Sequence, residues 1–123
     1  MIKVKISFKD DKIQSFVINS HALIGREAII AGEAYDMVCN SVSVLSQSVI
    51  IGLDDVLELN VNYDIGDGYV AVNLEGLTQE EVDTAQILLK TFEKSLESVI
   101  LSLNQMFGEE KRKEYITLKK EEV

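Results

Sequence analysis

The sequence predicts an α+β domain in which a largely antiparallel sheet of about five strands packs against two main helices. Short stretches of alternating apolar and polar residues, typical of half-buried strands, recur along the chain. Two longer stretches place apolar residues at spacings of three and four, as in amphipathic helices. The predicted order is strand, strand, helix, strand, strand, helix, strand, which favours helices layered on one sheet.

The chain has 123 residues, of which 46% are hydrophobic, so we expect residues 1–123 to form a single domain with one core. Its single cysteine cannot form an internal disulfide. No run reaches the roughly 18 uninterrupted apolar residues of a membrane span. We therefore expect a soluble, cytoplasmic protein with no membrane partner. The net charge of -9 disfavours direct nucleic-acid binding, which needs clustered basic residues, and suits a basic partner.

Two strands and a long loop are predicted at the start of the chain. Residues 2–8 and 12–19 alternate in polarity, and the aspartates at 10–11 are common turn residues, so these segments predict a hairpin. From Ser20 to Ala34 the alternation stops, and glycines interrupt any helical periodicity. We predict a loop here with at most a short helical turn. Loops of about 12 to 15 residues are often lids or binding loops.

The first helix is predicted over residues 36–51. Asp36 can act as its N-cap, because the carboxylate can accept a hydrogen bond from a free backbone N–H group of the first turn. Apolar residues recur at spacings of four, three and four at Val38, Val42, Leu45 and Val49. Gly52 is the expected end of the helix.

A second hairpin and a second helix follow. Residues 56–63 and 69–75 alternate in polarity and predict two strands. Thr78 and Glu81 form the pattern of a capping box, which opens a long helix that should end at Gly108. Its apolar seam consists of Val82, Ala85, Leu89, Phe92, Leu96, Val99, Leu103 and Met106.

The length of this second helix has two explanations. About 30 residues span roughly 45 Å, which is more than so small a sheet can cover. Either one end of the helix is solvated, or part of it contacts a second subunit. Residues 114–120 alternate in polarity and predict a last strand.

Cys39 is the first candidate for chemistry. In the predicted first turn of a helix, free N–H groups and the macrodipole favour the anionic thiolate, which is the nucleophilic form. Its position on the flank of the valine stripe predicts a side chain that borders the core without being sealed in it. The alternative is a small buried hydrophobe without a chemical role.

His21, the single histidine, is the second candidate. An imidazolium beside a thiolate is the ion pair of cysteine peptidases, although the 18 residues between His21 and Cys39 require the chain to fold back. The alternative is an ordinary surface histidine. Two ligands do not make a zinc site, even if Asp36 or Glu33 joined them, so we predict no metal and no cofactor. Phosphate-binding glycine loops, paired cysteines and serine-nucleophile elbows are missing from the sequence.

Two segments resemble the ribosomal-processing cysteine protease family, also called Prp. The family pattern is Gly-His-Ala, a loop, and then Asp-x-Val-Cys-x-x-Val-Ser. Here the chain reads Ser20-His21-Ala22 and, after the loop, Asp36-Met37-Val38-Cys39-Asn40-Ser41-Val42-Ser43. The resemblance implies that Cys39 is the nucleophile, that His21 is the general base and acid, and that Asp36 and Ser43 support them.

The resemblance also implies a homodimeric endopeptidase that removes the N-terminal extension of bacterial large-subunit ribosomal protein 27 during ribosome maturation. Ser20 stands where the family has glycine, and the loop is longer than the family's. We expect this loop to bind substrate or to cover the empty site, through Ser20, Ala22, Leu23, Ile24, Gly25 and Gly32. Two other interpretations stay open: a non-catalytic module that binds a ribosomal protein, and a redox-sensitive thiol protein.

Overall fold

A computed structural model describes residues 1–20 and 26–123, with side chains described for 1–20 and 35–123. The chain forms five strands, three α-helices and one π-helical turn in this part. The strands are β1 (Ile2–Lys9), β2 (Lys12–Ser20), β3 (Asn62–Gly66), β4 (Tyr69–Asn73) and β5 (Ile116–Glu122). The helices are α1 (Arg26–Ile51), α2 (Gln79–Phe107) and α3 (Glu109–Tyr115), and the π-helical turn follows α1 at Gly52–Val56.

The five strands form one sheet in the order β3-β4-β2-β1-β5. All neighbours are antiparallel except β1 and β5, which run parallel. The predicted α+β class with a largely antiparallel five-stranded sheet is confirmed. Asp10 and Asp11 connect β1 to β2 with φ angles of 53° and 62°, the left-handed pair of a type I′ hairpin turn.

One face of the sheet carries the core. Ile2, Val4 and Ile6 alternate along β1 with exposed lysines and are almost fully buried. Phe16 of β2 meets Phe92 of α2 with ring centroids 4.5 Å apart, which anchors the long helix over the middle of the sheet. The predicted apolar positions of α1 and α2 pack into the same core, including Val38, Val42, Val49, Leu89 and Leu96.

A side chain of α2 provides hydrogen-bond partners for the backbone at a bulge in the first hairpin. The β1–β2 register shifts between Ser7 and Phe8, next to Ile13. The Ile13 backbone N–H donates to Gln86 Oε1 at 2.7 Å, and Gln86 Nε2 donates to the Ile13 carbonyl at 3.0 Å. The buried amide thus supplies partners to two backbone groups and fixes α2 on β2.

The loop predicted over residues 20–34 is wrong for residues 26–34, because α1 begins at Arg26. Residues 26–34 contain three alanines, two glutamates and one arginine, which are strong helix formers, and Gly32 costs only about 1 kcal/mol within a helix. The predicted end at Ile51 is confirmed, and a π-helical turn continues from Gly52. A Cβ on Gly52 would lie 2.7 Å from Leu88 Cδ1, so the glycine allows α1 and α2 to approach closely.

Further boundaries differ from the prediction. β3 spans Asn62–Gly66 rather than 56–63, since Val56 belongs to the π-helical turn and residues 57–61 form no strand, and β4 ends at Asn73 rather than at 75. α3 occupies Glu109–Tyr115, so the last strand covers 116–122 rather than 114–120. α3 has acidic residues in its first turn and basic residues in its last turn, which complements the helix dipole.

The second helix forms as predicted, except that Met106, placed in its apolar seam, is 69% exposed. α2 spans Gln79–Phe107, both hydrogen bonds of the capping box between Thr78 and Glu81 are present, and Gly108 ends it with a φ of 85°.

Residues 35–56 form a segment long and apolar enough to span a membrane, with a mean hydropathy of 1.3 over an 18-residue window. Core helices of soluble proteins have the same properties, and Val38, Val42 and Val49 of this segment pack into the core. The segment is therefore weak evidence for a membrane span.

Candidate active site

Cys39 lies in the middle of α1 rather than at its start. It is the fourteenth residue of a helix of 26 that begins at Arg26. The prediction that Asp36 caps the helix is therefore wrong: Asp36 is an exposed residue within it. The dipole effect falls off within the first turn, so it gives Cys39 no thiolate stabilisation. Backbone N–H groups at Cys39 bond within the helix, so the free N–H groups expected of a helix start are not present there.

The surroundings of Cys39 follow from its position on the helix. It is half-buried and packs against the core, as its place beside the valine stripe predicted. Tyr35 and Ser43 lie one turn before and one turn after it, on the same face. Ser43, which is half-buried, accepts a hydrogen bond from Gln47 Nε2 at 2.7 Å.

Tyr35 lies one helical turn before Cys39 on α1 and was not predicted as a site residue. It is buried, and its hydroxyl oxygen accepts a hydrogen bond from the Met1 backbone nitrogen at 2.7 Å. Burial raises the pKa of Tyr35 well above its ordinary value, and the nearby side chains of Cys39 and Asp36 raise it further. The signal in the sequence was the spacing of four residues between tyrosine and cysteine.

Aromatic rings hold Tyr35 from the side of α3. The ring of Tyr115, which is buried, lies 6.3 Å from that of Tyr35, and Phe107 packs edge-on against Tyr115 at 5.6 Å. Aromatic pairs in these geometries are attractive. The tyrosine beside the thiol is thus fixed both by the start of β1 and by the connection from α2 to α3.

His21 lies outside the described residues, as do Ala22, Leu23, Ile24 and Gly25, so their predicted roles stay predictions. Ser20, which precedes His21, is described as the last residue of β2. It pairs with Ile2, and its N–H donates to the Gly68 carbonyl at 2.8 Å. Since Met1 bonds Tyr35, the start of β1 and the end of β2, which pair at Ile2 and Ser20, lie near Tyr35 of α1.

The predicted substrate-binding residues at the two ends of the loop lie in regular structure. Ser20 is in β2 and Gly32 is in α1.

Within the part of the chain that the structure describes, no group of three or more His, Cys, Asp or Glu residues could hold a metal ion.

An apolar cleft of about 280 Å³ separates α1 from α2. It is lined by Met37, Val38, Ser41, Ser98, Val99, Ser102, Leu103, Met106 and Phe107. Met37 and Ser41 each stand two residues from Cys39, which corresponds to about 200° of helical rotation. The cleft therefore lies on the opposite flank of α1 from the thiol and is separate from the candidate active site.

The family of the chain follows from residues 1–108, which match the family model described as cysteine protease Prp. The chain belongs to the Prp family. The predicted family is therefore confirmed, and the matched range contains residues 21–22 and 36–43, on which the resemblance was based. No curated protein matches the chain.

Solved structures share the fold over nearly their whole length. SMU.848 from Streptococcus mutans has 21% identity and a TM-score of 0.74, covering 100% of this chain and 99% of that chain. An essential ribosomal processing protease Prp from Staphylococcus aureus, in complex with a covalently linked product peptide, has 22% identity and a TM-score of 0.63. The likeness covers 98% of this chain and 99% of that chain. A hypothetical protein from Staphylococcus aureus has 16% identity and a TM-score of 0.59, with the same coverage. At these identities, the likeness shows the Prp fold.

Proposed function

We propose that this protein is a cysteine endopeptidase that removes the N-terminal extension of bacterial large-subunit ribosomal protein 27 during ribosome maturation. The observation that carries the proposal is the match to a cysteine protease family across the segment that contains His21 and Cys39. The structural likeness to a ribosomal processing protease with a covalently linked product peptide supports the substrate class.

The reaction proceeds by acyl transfer through Cys39. His21 takes the thiol proton, and the sulfur attacks the carbonyl carbon of the scissile peptide bond, forming a carbon–sulfur bond. His21 then gives the proton to the leaving amine as the carbon–nitrogen bond breaks. Water hydrolyses the thioester, which releases the acid product and restores the thiol.

Asp36 and Ser43 support this pair. Asp36 stands three residues before Cys39 and is exposed, so its carboxylate can hydrogen-bond an imidazole that approaches the thiol and fix its orientation. Ser43, held by Gln47, presents a hydroxyl one turn beyond the sulfur. The segment from Ser20 to Gly25 binds the extended substrate peptide. The net charge of -9 favours encounter with a basic ribosomal protein.

We also propose that the protein works in the cytoplasm as a homodimer. Ile87, Leu101 and Met106 are 77%, 59% and 69% exposed on α2. A long helix with apolar side chains facing solvent supports a contact with a second copy. Sedimentation equilibrium of the purified protein tests this part, and a monomer at every concentration would contradict it.

Cleavage of the natural substrate tests the proposal. Ribosomal protein 27 of the same organism, with its N-terminal extension, is incubated with the enzyme, and products are identified by mass spectrometry. We expect Cys39→Ala and Cys39→Ser to reduce cleavage at least about a thousandfold while the far-ultraviolet spectrum is unchanged. Ser48→Ala, on the exposed side of α1, is the control and should cleave normally.

Two outcomes of this experiment would replace the proposal. Undiminished cleavage by both Cys39 variants would remove the thiol from the mechanism. Tight binding of the extended protein without turnover between about pH 6 and pH 9 would favour a binding module, since thiolate and imidazole forms both become available over that range.

A further inference from the structure

The side of the sheet that faces the helices is buried in its middle but exposed at β3. Residues paired across antiparallel strands point to the same face, so the rows of core residues can be followed to the edge of the sheet. In one row, Phe16 and Val72 are buried, whereas Tyr63, which pairs with Val72, is 46% exposed. In the next row, Ile18 is buried and Ile65 of β3 is 53% exposed. Tyr63 and Ile65 therefore form an apolar strip that continues the core face and is open to solvent.

The outer edge of β3 offers backbone hydrogen-bonding groups beside this apolar strip. β3 ends the sheet, and β4 is its neighbour among the described strands. In an antiparallel pair, every second residue directs its N–H and C=O groups away from the partner strand. The five residues of β3 span roughly 17 Å, which is enough to pair with about five residues of an extended peptide. In such pairing the backbone supplies affinity and alternate side chains supply selectivity.

The charges of the chain are divided between its segments, and β3 lies in the acidic one. Residues 27–89 contain twelve aspartates and glutamates and no lysine, arginine or histidine, whereas all twelve basic residues lie in 1–26 and 90–123. Asp64 of β3 and Asp67 of the following turn are exposed, and neither forms an ion pair with another described residue. This edge of the sheet is therefore complementary to a basic partner.

The two faces of β3 differ in chemistry. Asp64 stands between Tyr63 and Ile65 in the strand, so its carboxylate lies on the opposite face from the apolar strip. A peptide strand along the edge meets apolar side chains on one face and a carboxylate on the other, which suits a sequence of alternating basic and apolar residues. A second copy of this chain is a poorer occupant, because it would bring another acidic β3 edge against the first.

The edge leads towards the candidate active site. Tyr69, at the start of β4, pairs with Asn19 of β2, and the Ser20 N–H donates to the Gly68 carbonyl at 2.8 Å. The end of β3 thus lies at the end of the sheet from which the chain continues to His21. We propose that the outer edge of β3 binds an extended segment of the protein substrate, with basic and apolar residues in alternation, as a sixth strand. Only the identification of this peptide as substrate rests on the function proposed above.

Peptide binding to the Cys39→Ala protein tests the edge without turnover. The probe is a fluorescein-labelled peptide of ten alternating lysines and valines, and the comparison peptide has five lysines followed by five valines. We expect fluorescence anisotropy to show at least about tenfold tighter binding of the alternating peptide. Added Asp64→Lys should weaken its binding about fivefold to tenfold, because an attractive cross-strand pair becomes a repulsive one. Glu122→Lys makes the same charge change at an exposed position of β5 and should leave binding unchanged.

Two further measurements identify the mode of binding. Alternating peptides are made with N-methyl groups on all lysines or on all valines, and only one of the two should lose binding, because successive N–H groups of a strand face opposite edges. Hydrogen exchange of the β3 amides should slow when the alternating peptide binds.

Several results would overturn the proposal. They are equal binding of the alternating and block peptides, equal weakening by Asp64→Lys and Glu122→Lys, and unchanged exchange in β3. Protection of β3 that rises with protein concentration in the absence of peptide would assign the edge to a second copy instead. No binding of either peptide would leave Asp64 as a charge that only prevents edge-to-edge aggregation.

The outcome is separable from that of the proposed function. Peptide binding needs no catalysis, so the role of β3 can be demonstrated even if ribosomal protein 27 is not cleaved. Conversely, cleavage that depends on Cys39 but has an unchanged KM in Asp64→Lys, together with no peptide binding, would keep the protease and reject the β3 edge.

Discussion

Gly68 links the hairpin of β3 and β4 to the end of β2, and replacing it tests the geometry next to His21. Gly68 has a φ of 69°, and a Cβ there would lie 2.6 Å from the Ser20 carbonyl oxygen. Left-handed backbone costs an alanine about 1–2 kcal/mol. Restoring a contact of about 3.5 Å requires a shift of about 0.9 Å, and crowding of this kind costs about 1–3 kcal/mol. Gly68→Ala should therefore lower the free energy of unfolding by about 2–5 kcal/mol.

Gly76→Ala is the matched control for this substitution. Gly76 has a φ of 90°, but nothing lies within 4 Å of the added Cβ, so only the backbone cost of about 1–2 kcal/mol remains. Urea unfolding followed by circular dichroism measures both variants. Because Ser20 precedes His21, cleavage should also fall more in Gly68→Ala. Equal destabilisation of the two variants would refute the reasoning.

Two further substitutions test the packing of α2. Gln86→Leu deprives the buried N–H and C=O groups of Ile13 of their partners and should lower the free energy of unfolding by about 2–4 kcal/mol. The control Gln79→Leu, at an exposed position, should change it by about zero. Urea unfolding measures both variants, and equal effects would contradict the role of Gln86. The ion pair with Lys120 lowers the pKa of Glu97. The pair therefore stabilises the folded protein at pH values above the usual pKa of a glutamate, and this stabilisation is lost as the pH falls. Both groups are over one-third exposed, so Glu97→Gln should cost less than about 1 kcal/mol at pH 7. The cost should shrink as the pH falls below the usual glutamate range and vanish once the pH is below the lowered pKa of Glu97, and a cost that does not shrink with pH would contradict this origin.

α2 was predictable because its signals are local and agree with one another. The capping box at Thr78 defines its start, Gly108 defines its end, and the apolar spacing is continuous between them. α3 has none of these signals. It is a highly charged helix of seven residues without an apolar stripe, and its boundaries depend on Gly108 and on the pairing of β5 with β1.

The start of α1 shows how a wrong boundary affects the interpretation of a site. Treating Gly25 and Gly32 as breakers made Asp36 a cap and placed Cys39 in a first turn. The face of Cys39 was nevertheless predicted, because the spacing of the valines does not depend on where the helix begins. Tyr35 was missed because the predicted helix started after it, so its relation to Cys39 across one turn was not considered.

The C-terminal segment also bears on the site, although the family match ends at residue 108. β5 pairs in parallel with β1 and begins opposite Ile2. Tyr115, at the end of α3, packs on Tyr35. Residues 109–123 therefore support the start of β1 and the tyrosine one turn before Cys39, which no spacing in the sequence indicated.

A trapped acyl-enzyme tests the central claim most directly. The enzyme is mixed with extended ribosomal protein 27 and quenched in acid within the first turnover, and its intact mass and peptide map are recorded. The account predicts a mass increase equal to the mass of the released extension less one water, carried as a thioester on Cys39 and absent from Cys39→Ala. Cleavage that proceeds without any adduct on Cys39, and equally well in Cys39→Ala, would contradict it.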